Sequence, residues 1–344
     1  MLDLQGTVLT AEEAEILRHP LVGGVILFTR NYTNLEQLTE LVAAIHAVRE
    51  PHLVIGVDHE GGRVQRFRDG FTRLPAARQL GYLYDRHQQK AKELALHSGW
   101  LMASELRSVG VDFSFAPVLD LDYGLCDVIG DRAFHTNAEV VYELCHAYIK
   151  GMAEAGMAAV GKHFPGHGHV REDSHVAIPV DERDYNDIYQ QDMLPYRKLV
   201  NDNLAAIMPA HVVYSKFDSN PAGFSRRWLQ DILRKQLQFQ GIIFSDDLNM
   251  QGASVAGERF SERAAAAVQA GCDVILACNN REGALDILDH FTLPDDPVRH
   301  LRIARMHGRH AISRQDLTHS QRWHTTVEHI QQIIENPSDE LKLK

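Results

Sequence analysis

The sequence predicts a (β/α)8 barrel, the α/β fold in which eight parallel strands alternate with helices. Short apolar runs recur along the chain, several of them continuous as in parallel strands covered on both faces, and helical patterns separate them. Charged residues or histidines follow five of these runs, where the working residues of a barrel lie. An open doubly wound sheet is the alternative, but no glycine fingerprint for a dinucleotide follows the first run.

The candidate strands lie, in chain order, at residues 2–5, 24–28, 53–57, 112–116, 157–161, 204–208, 241–245 and 273–277. Helix-start signals stand between them. Thr10 with Glu13 has the form of a capping box, Asn34 precedes an amphipathic stretch, and Ser225 precedes another.

The chain is expected to form one domain over residues 1–344, because no low-complexity linker or internal repeat interrupts it. The part from about 293 to 344 is polar and predicts helices packed outside the barrel, followed by a frayed tail.

The composition argues against several classes of protein. The net charge is −11 and no block of Lys and Arg is present, which disfavours a nucleic-acid partner. No apolar run approaches the roughly 20 residues of a membrane span, and the N-terminus lacks the pattern of a signal peptide. The four cysteines form no CxxC pair and indicate buried thiols in a reducing compartment. We expect a cytoplasmic monomer without a membrane partner.

The residues after the strands form a candidate site. They are Asp58 and Arg66 after the third strand, Arg132 after the fourth, Lys162 and His163 after the fifth, His211 after the sixth, and Asp246 and Asp247 after the seventh. A single carboxylate in such a place is more often a helix cap or a surface charge. Five strand ends with such residues predict a concave polar site.

The segment "KHFPGHGHVREDSH" at 162–175 allows three interpretations. His163, His167, His169, Asp173 and His175 are possible metal ligands, although the spacing fits no helix-borne HExxH pattern. The segment could instead be a polar loop whose histidines satisfy backbone groups. The third interpretation is acid/base catalysis, since Asp173 and His175 are two residues apart and can project to one face of an extended loop.

Four stretches together resemble one family. "KHFPGHGHVREDSH", "GVDHEGGRVQR", "LFTRNY" and "IIFSDDLNM" closely resemble glycoside hydrolase family three, in particular its single-domain bacterial β-N-acetylglucosaminidases. The resemblance implies Asp246 as the nucleophile and His175, paired with Asp173, as the acid/base. It implies sugar binding by matched positions, which are Asp58, Arg66, Arg132, Lys162 and His163.

The expected activity is the retaining removal of terminal GlcNAc from peptidoglycan fragments, with no cofactor and no metal. Pro165, Gly166 and Gly168 are expected to make the loop mobile, and Asp247 to face or cap a helix. His59 and His169 depart from the family pattern beside the motifs. A metal-dependent barrel hydrolase, a non-catalytic sugar-binding barrel and phosphorolysis stay open as alternatives.

Overall fold

The computed structural model describes residues 1–171, 178–310 and 312–335, and in them eight parallel strands surround a common interior. The strands are β1 Leu2–Asp3, β2 Gly24–Leu27, β3 Val54–Val57, β4 Phe113–Ser114, β5 Val160–Phe164, β6 Ala206–Pro209, β7 Ile242–Asp247 and β8 Val274–Leu276. Each falls on or overlaps a predicted run.

The strands pair in sequence order into a barrel. Two four-stranded parallel sheets, β1-β2-β3-β4 and β5-β6-β7-β8, carry most of the pairing. Parallel bridges from Ser114 to Ala159 and from Val118 to Lys162 join the two sheets, and a bridge from Leu2 to Ala277 joins the last strand to the first. The predicted fold class is confirmed.

Two strand boundaries differ from the prediction in a way that matters for the site. β5 continues through Lys162 and His163 to Phe164, and β7 continues through Asp246 and ends at Asp247, so these residues lie within the ends of their strands. The predicted strands ended at residues 161 and 245 because the side chains that follow are polar. A hydropathy pattern does not show that the backbone at these polar residues still belongs to a strand. Strand β4 is short, and Pro117 just after it has no amide hydrogen for a ladder.

Aromatic side chains fill the barrel interior. The ring of Phe113 on β4 lies 5.5 Å from that of Phe244 on β7, and both contact Phe115 at 5.0 and 5.4 Å. β4 and β7 are not neighbours in the sheet, so these rings meet across the interior. Gly56 on β3 leaves them space, since a Cβ there would lie 2.8 Å from the Phe113 ring.

Helices follow the strands on the outside. They are α1 Ala11–Leu17, α2 Leu35–His46, α3 Ala77–Tyr84, α4 Gln88–Arg107, α5 Ala138–Glu154, α6 Tyr185–Gln190, α7 Leu194–Asn201, the π-wound helix Arg227–Gln236, α8 Phe260–Ala270 and α9 Arg281–His290. The Thr10 capping box and the Asn34 cap are present, and the Ser225 hydroxyl accepts the amide hydrogen of Trp228 at 3.1 Å.

Three further helices lie outside this layer: α10 Pro297–Ala304, α11 Arg314–His319 and α12 Gln321–Glu335. α12 packs on α4, where Trp323 donates a hydrogen bond to Glu105 at 2.9 Å, and Ile330 and Ile333 are buried. The expected peripheral helices are therefore present, while the tail at 336–344 lies outside the described residues. The four cysteines are buried, and the described part of the chain contains no disulfide bond. None of the helices in the described ranges is long and apolar enough to cross a membrane.

Candidate active site

A network of opposite charges occupies the ends of β3 and β5. Lys162 is almost fully buried, and its Nζ lies 2.9 Å from Asp58 Oδ1 and 2.7 Å from Glu60 Oε1. Arg66 Nη2 approaches Asp58 Oδ2 at 3.5 Å. Arg132 donates from Nε and Nη2 to the two oxygens of Glu60, both at 2.8 Å. The structure thus brings together four of the five residues predicted to bind sugar, and Glu60 connects them.

These groups stay charged at neutral pH. Burial alone would lower the pKa of Lys162, but Asp58 and Glu60 outweigh it and raise that pKa above its ordinary value. Burial alone would raise the pKa of Asp58, yet Lys162 and Arg66 hold it below its ordinary value. The pKa of Glu60 lies well below its usual range, because Arg132 and Lys162 overcome the effect of burial. A polar ligand in this site would therefore meet both charged acceptors and charged donors.

Sequence reasoning missed Glu60, although a signal for it was present. Residues His59–Gly61 form an extended strand that pairs antiparallel with Val64–Gln65 directly after β3. Alternate residues of an extended segment share a face, so Asp58 and Glu60 both turn toward Lys162. The spacing of two between these carboxylates in "GVDHEGG" was the available clue.

The fifth predicted sugar-binding residue, His163, is held by a buried carboxylate. Asp120 Oδ2 lies 2.7 Å from Nδ1 of His163, and Asp120 Oδ1 accepts the amide hydrogens of His163 and His167 at 3.2 and 2.7 Å. Burial alone would raise the pKa of Asp120, but the two histidines outweigh it and lower that pKa. Asp120 fixes the His163 ring and leaves Nε2 as its other polar atom. It lies in "PVLDLDYG", a stretch whose polarity alone did not single it out.

The two carboxylates at the end of β7 have different surroundings. Asp247 Oδ1 accepts the amide hydrogens of Asn249 and Cys278, each at 3.0 Å, and so ties the loop after β7 to the end of β8. The expectation that Asp247 faces or caps a helix was wrong, because these amides belong to loops. Burial raises the pKa of Asp247 to about 7, and the negative charge of Asp246 acts in the same direction. The two hydrogen bonds from backbone amides lower the pKa but do not outweigh burial. Asp246 Oδ1 accepts the amide hydrogen of Asp247 at 2.8 Å.

Asp246 lies on the same site as the His163 loop. Burial and the charge of His163 lower the pKa of His167, while the carboxylates of Asp120 and Asp246 act on it in the opposite direction. Asp246, at the end of β7, therefore lies near enough to the segment after β5 for its charge to act on His167. Its role as the nucleophile stays a prediction.

Two other histidines support the site. His211 is fully buried, stacks on Phe224 with ring centroids 5.0 Å apart, and lies 3.2 Å from the carbonyl oxygen of Asp247. His59 packs between the rings of Phe67 and Phe71. Burial first, and then the charge of Arg66, lower the pKa of His59 to about 3, so its ring is neutral. His59 therefore shapes the wall of the site without adding charge, and His211 packs beneath the end of β7.

The glycines of the 162–171 segment are held in place. The Tyr214 hydroxyl donates to the Gly166 carbonyl oxygen at 2.7 Å, and a Cβ on Gly168 would lie 1.8 Å from the carbonyl oxygen of Leu121. Residues 165–168 are buried. Gly166 and Gly168 thus allow close backbone approach, and the structure does not support the expected mobility at these positions.

The predicted acid/base pair, Asp173 and His175, lies outside the described residues, and its role stays a prediction. Over residues 1–171, 178–310 and 312–335, no three His, Cys, Asp or Glu side chains have the geometry to hold a metal ion. The His163 ring contacts Asp120 through Nδ1, and the His167 ring has its Nδ1 3.6 Å from Cys126 Sγ.

A rim of paired carboxylates and cations at the carboxyl ends of barrel strands defines an enzyme site for a small polar substrate. Residues 2–305 match the family profile described as "Glycosyl hydrolase family 3 N terminal domain". The chain belongs to glycosyl hydrolase family 3, and it is a glycosidase.

The relatives agree with this assignment. A β-hexosaminidase from Thioalkalivibrio sulfidiphilus is 58% identical over 341 residues, which cover 99% of this chain and 98% of that protein. The structure of NagZ from Neisseria gonorrhoeae in complex with N-trifluoroacetyl-D-glucosamine has a TM-score of 0.91 at 43% identity, with 97% of each chain covered. NagZ from the same organism in complex with a zinc ion matches equally well, with the same TM-score, identity and coverage.

Proposed function

We propose that this chain is a retaining exo-β-N-acetylglucosaminidase of cell-wall recycling. It removes the non-reducing terminal GlcNAc from β-1,4-linked peptidoglycan fragments, GlcNAc-1,6-anhydro-MurNAc with or without peptide. The observation that carries the proposal is the buried network of Asp58, Glu60, Lys162 and Arg132 on the same barrel mouth as Asp246. The β-hexosaminidase relative and the N-trifluoroacetyl-glucosamine complex support it. The enzyme acts as a cytoplasmic monomer without cofactor.

The charged network provides recognition of the sugar hydroxyls. Asp58 and Glu60 accept hydrogen bonds, whereas Lys162, Arg66 and Arg132 donate them. His163 donates or accepts through Nε2, because Asp120 engages Nδ1. These groups are largely buried and pair with one another, so water cannot readily replace a missing partner. A bound sugar that lacks a matching hydroxyl leaves the polar atoms that face it unsatisfied. Such a mismatch is costly and gives selectivity for one sugar.

The nucleophile in this proposal is Asp246 rather than Asp247. With a pKa of about 7, Asp247 is about half protonated at neutral pH, and its Oδ1 is engaged with two backbone amides. Both properties disfavour attack on carbon. The carboxylate of Asp246 attacks the anomeric carbon, and the bond to the leaving oxygen breaks as a covalent glycosyl-enzyme forms.

Proton transfer is assigned to His175 and Asp173 on the strength of the family resemblance. His175 gives its proton to the departing oxygen, and the resulting neutral imidazole then takes a proton from the water that releases the sugar. The Asp173 carboxylate stabilises the imidazolium. A histidine is an unusual acid for a retaining glycosidase, since most use two carboxyl groups.

The test compares Asp246→Ala with Asp247→Asn on an aryl β-N-acetylglucosaminide. The first variant removes the nucleophile and should lower kcat at least about 1000-fold while an N-acetylglucosamine analogue still binds. The second should stay within a few-fold of wild type. An aryl β-glucoside run in parallel reports selectivity for the N-acetyl group. Wild-type turnover by Asp246→Ala, or no release from the N-acetyl substrate by the unaltered enzyme, would overturn the proposal.

A metal-dependent hydrolase is the second candidate, because the segment 162–175 is rich in histidine and one matched structure is a zinc complex. Full activity after treatment with EDTA and removal of free metal excludes it. Phosphorolysis is separated from hydrolysis by identifying the sugar product in phosphate and in phosphate-free buffer. A non-catalytic sugar-binding barrel is excluded by turnover itself.

A further inference from the structure

A second buried charge cluster lies beside the sugar site and does not belong to it. Arg183 Nη2 donates to Asp181 Oδ2 at 2.7 Å, and its Nη1 donates to Asp192 Oδ2 at 2.7 Å. The Tyr123 hydroxyl donates to the same oxygen of Asp192 at 3.0 Å. Both carboxylates have no exposed side-chain surface. We call Tyr123, Asp181, Arg183 and Asp192 the Arg183 cluster.

The Arg183 cluster contacts the chain on the upstream side of residues 172–177. The Cβ of Asp192 lies 2.5 Å from the position that a Cβ on Gly166 would occupy. His169 Nδ1 lies 3.9 Å from Asp181 Oδ1, and the His169 ring meets the Tyr123 ring edge-on at 5.1 Å. The cluster therefore sets the path of the backbone that leaves β5.

The same cluster holds the chain on the downstream side. Asp181 belongs to the short strand Val180–Asp181, which pairs in parallel with Val213–Tyr214. Tyr214 in turn donates its hydroxyl hydrogen to the Gly166 carbonyl oxygen at 2.7 Å. Gly166, Tyr214, Asp181, Arg183 and Asp192 thus form a closed ring of contacts that joins the two flanks.

Stability alone is a weak reason to bury such a cluster. Two carboxylates share one guanidinium, so one negative charge remains uncompensated within it. Desolvation of buried ion pairs commonly offsets their attraction, and apolar replacements are often as stable. Burial raises the pKa of Asp192 even though Arg183 opposes the shift, which shows that the charge is costly there. A guanidinium fork that binds Asp181 on the downstream flank and Asp192 beside Gly166 instead fixes geometry.

We propose that Arg183 is a positioning residue for the proton-transfer steps. It holds the described flanks of residues 172–177 in register with the barrel mouth, and it acts through Asp181 and Asp192 without contacting substrate. The inference rests on the proposed function, which assigns the acid and base to Asp173 and His175 within that segment.

The test uses two N-acetylglucosaminides that differ in their need for a proton. A 2,4-dinitrophenyl leaving group departs without protonation, whereas a 4-methylumbelliferyl group needs more help from the acid. For Arg183→Met, kcat/KM on the methylumbelliferyl substrate should fall about 10- to 100-fold. This loss is smaller than the whole contribution that acid/base catalysis usually makes, because the acid itself is still present. On the dinitrophenyl substrate, kcat/KM should change less than about threefold.

The second step of the reaction gives an independent readout. Water needs a base to attack the glycosyl-enzyme, whereas azide does not. Azide should therefore raise kcat of Arg183→Met on the dinitrophenyl substrate, with glycosyl azide as the product, and leave the kcat of wild type almost unchanged. Arg183→Lys keeps the positive charge but loses the guanidinium group that binds two carboxylates at once. Its rates should lie between those of wild type and Arg183→Met.

Arg302→Met is the matched control. Arg302 Nη1 lies 2.8 Å from the buried carboxylate of Asp273, at the opposite end of the barrel. Its loss removes a similar ion pair without touching residues 164–183, so both substrates should respond equally.

Each outcome decides between the alternatives. Equal losses on both substrates, or a lack of azide rescue, would show that Arg183 is only structural. Unchanged rates would show that it has no role. If Arg183→Met does not fold, Arg183→Lys and Asp192→Asn must show the same leaving-group dependence or the inference is wrong. If wild type hydrolyses neither substrate, the proposed function itself fails.

Discussion

Replacing Glu60 with glutamine tests the charge network of the barrel mouth. The Glu60 side chain is 8% exposed and forms ion pairs of 2.8 Å with Arg132 and 2.7 Å with Lys162. The amide of the variant keeps the shape, but it leaves Lys162 with the carboxylate of Asp58 and removes the carboxylate that Arg132 pairs with. Removing one partner of a buried ion pair typically costs about 3–5 kcal/mol.

That cost should be visible in urea unfolding. With a slope of about 3 kcal/mol/M, Glu60→Gln should lower the unfolding midpoint by between about 1 and 1.7 M. The matched control is Asp131→Asn, since Asp131 pairs with Arg63 at 2.9 Å but both side chains are about half exposed. Exposed pairs contribute about 0–1 kcal/mol, which predicts a shift below about 0.3 M. Equal midpoints for the two variants would refute the reasoning.

The pH dependence provides a second check of the same variant. The folded state lowers the pKa of Glu60 below its ordinary value of 4.5. A carboxyl with a lowered pKa contributes its full stability above the ordinary value and loses it as the pH falls toward the folded pKa. The difference in midpoint between wild type and Glu60→Gln should therefore narrow from about pH 6 to about pH 3. A constant difference would contradict the assigned pKa shift.

Two further predictions concern the buried carboxylates. Asp120→Asn removes the charge that orients His163. The loss of charge-assisted hydrogen bonds worth about 1.5–3 kcal/mol should lower kcat/KM about 10- to 100-fold. An unchanged kcat/KM would rule out this role of Asp120. Asp247 has its pKa raised from 3.8 to about 7, so wild type should lose stability relative to Asp247→Asn as the pH rises from about 4 to about 7. Parallel unfolding curves for these two proteins would show that Asp247 does not titrate there.

The predicted site was largely recoverable from the sequence because the barrel orders its residues. The carboxyl ends of parallel strands meet at one rim, so Asp58, Lys162 and Asp246 could be assigned to one site from their places after apolar runs. The resemblance of four motifs then supplied the family, and the comparison with known relatives confirmed it.

The partners of these residues were not recoverable in the same way. Asp120 carries no local signal that separates it from a surface acid, and the spacing of Glu60 from Asp58 indicates only a shared face. Burial and the approach of a cation from another strand are long-range properties. The environment of Asp247 was misjudged for the same reason: the amide of Cys278 that it binds comes from the loop after the next strand.

The sequence by itself determined the order of strands and helices, the caps, and the residue types at the strand ends, since hydrophobic period and local hydrogen bonding act over a few residues. The tertiary structure decided which carboxylate stays charged, which histidine is oriented, and that Arg183 binds both Asp181 and Asp192. These properties depend on burial and on distances between strands, because desolvation and Coulomb energies are set by the whole fold.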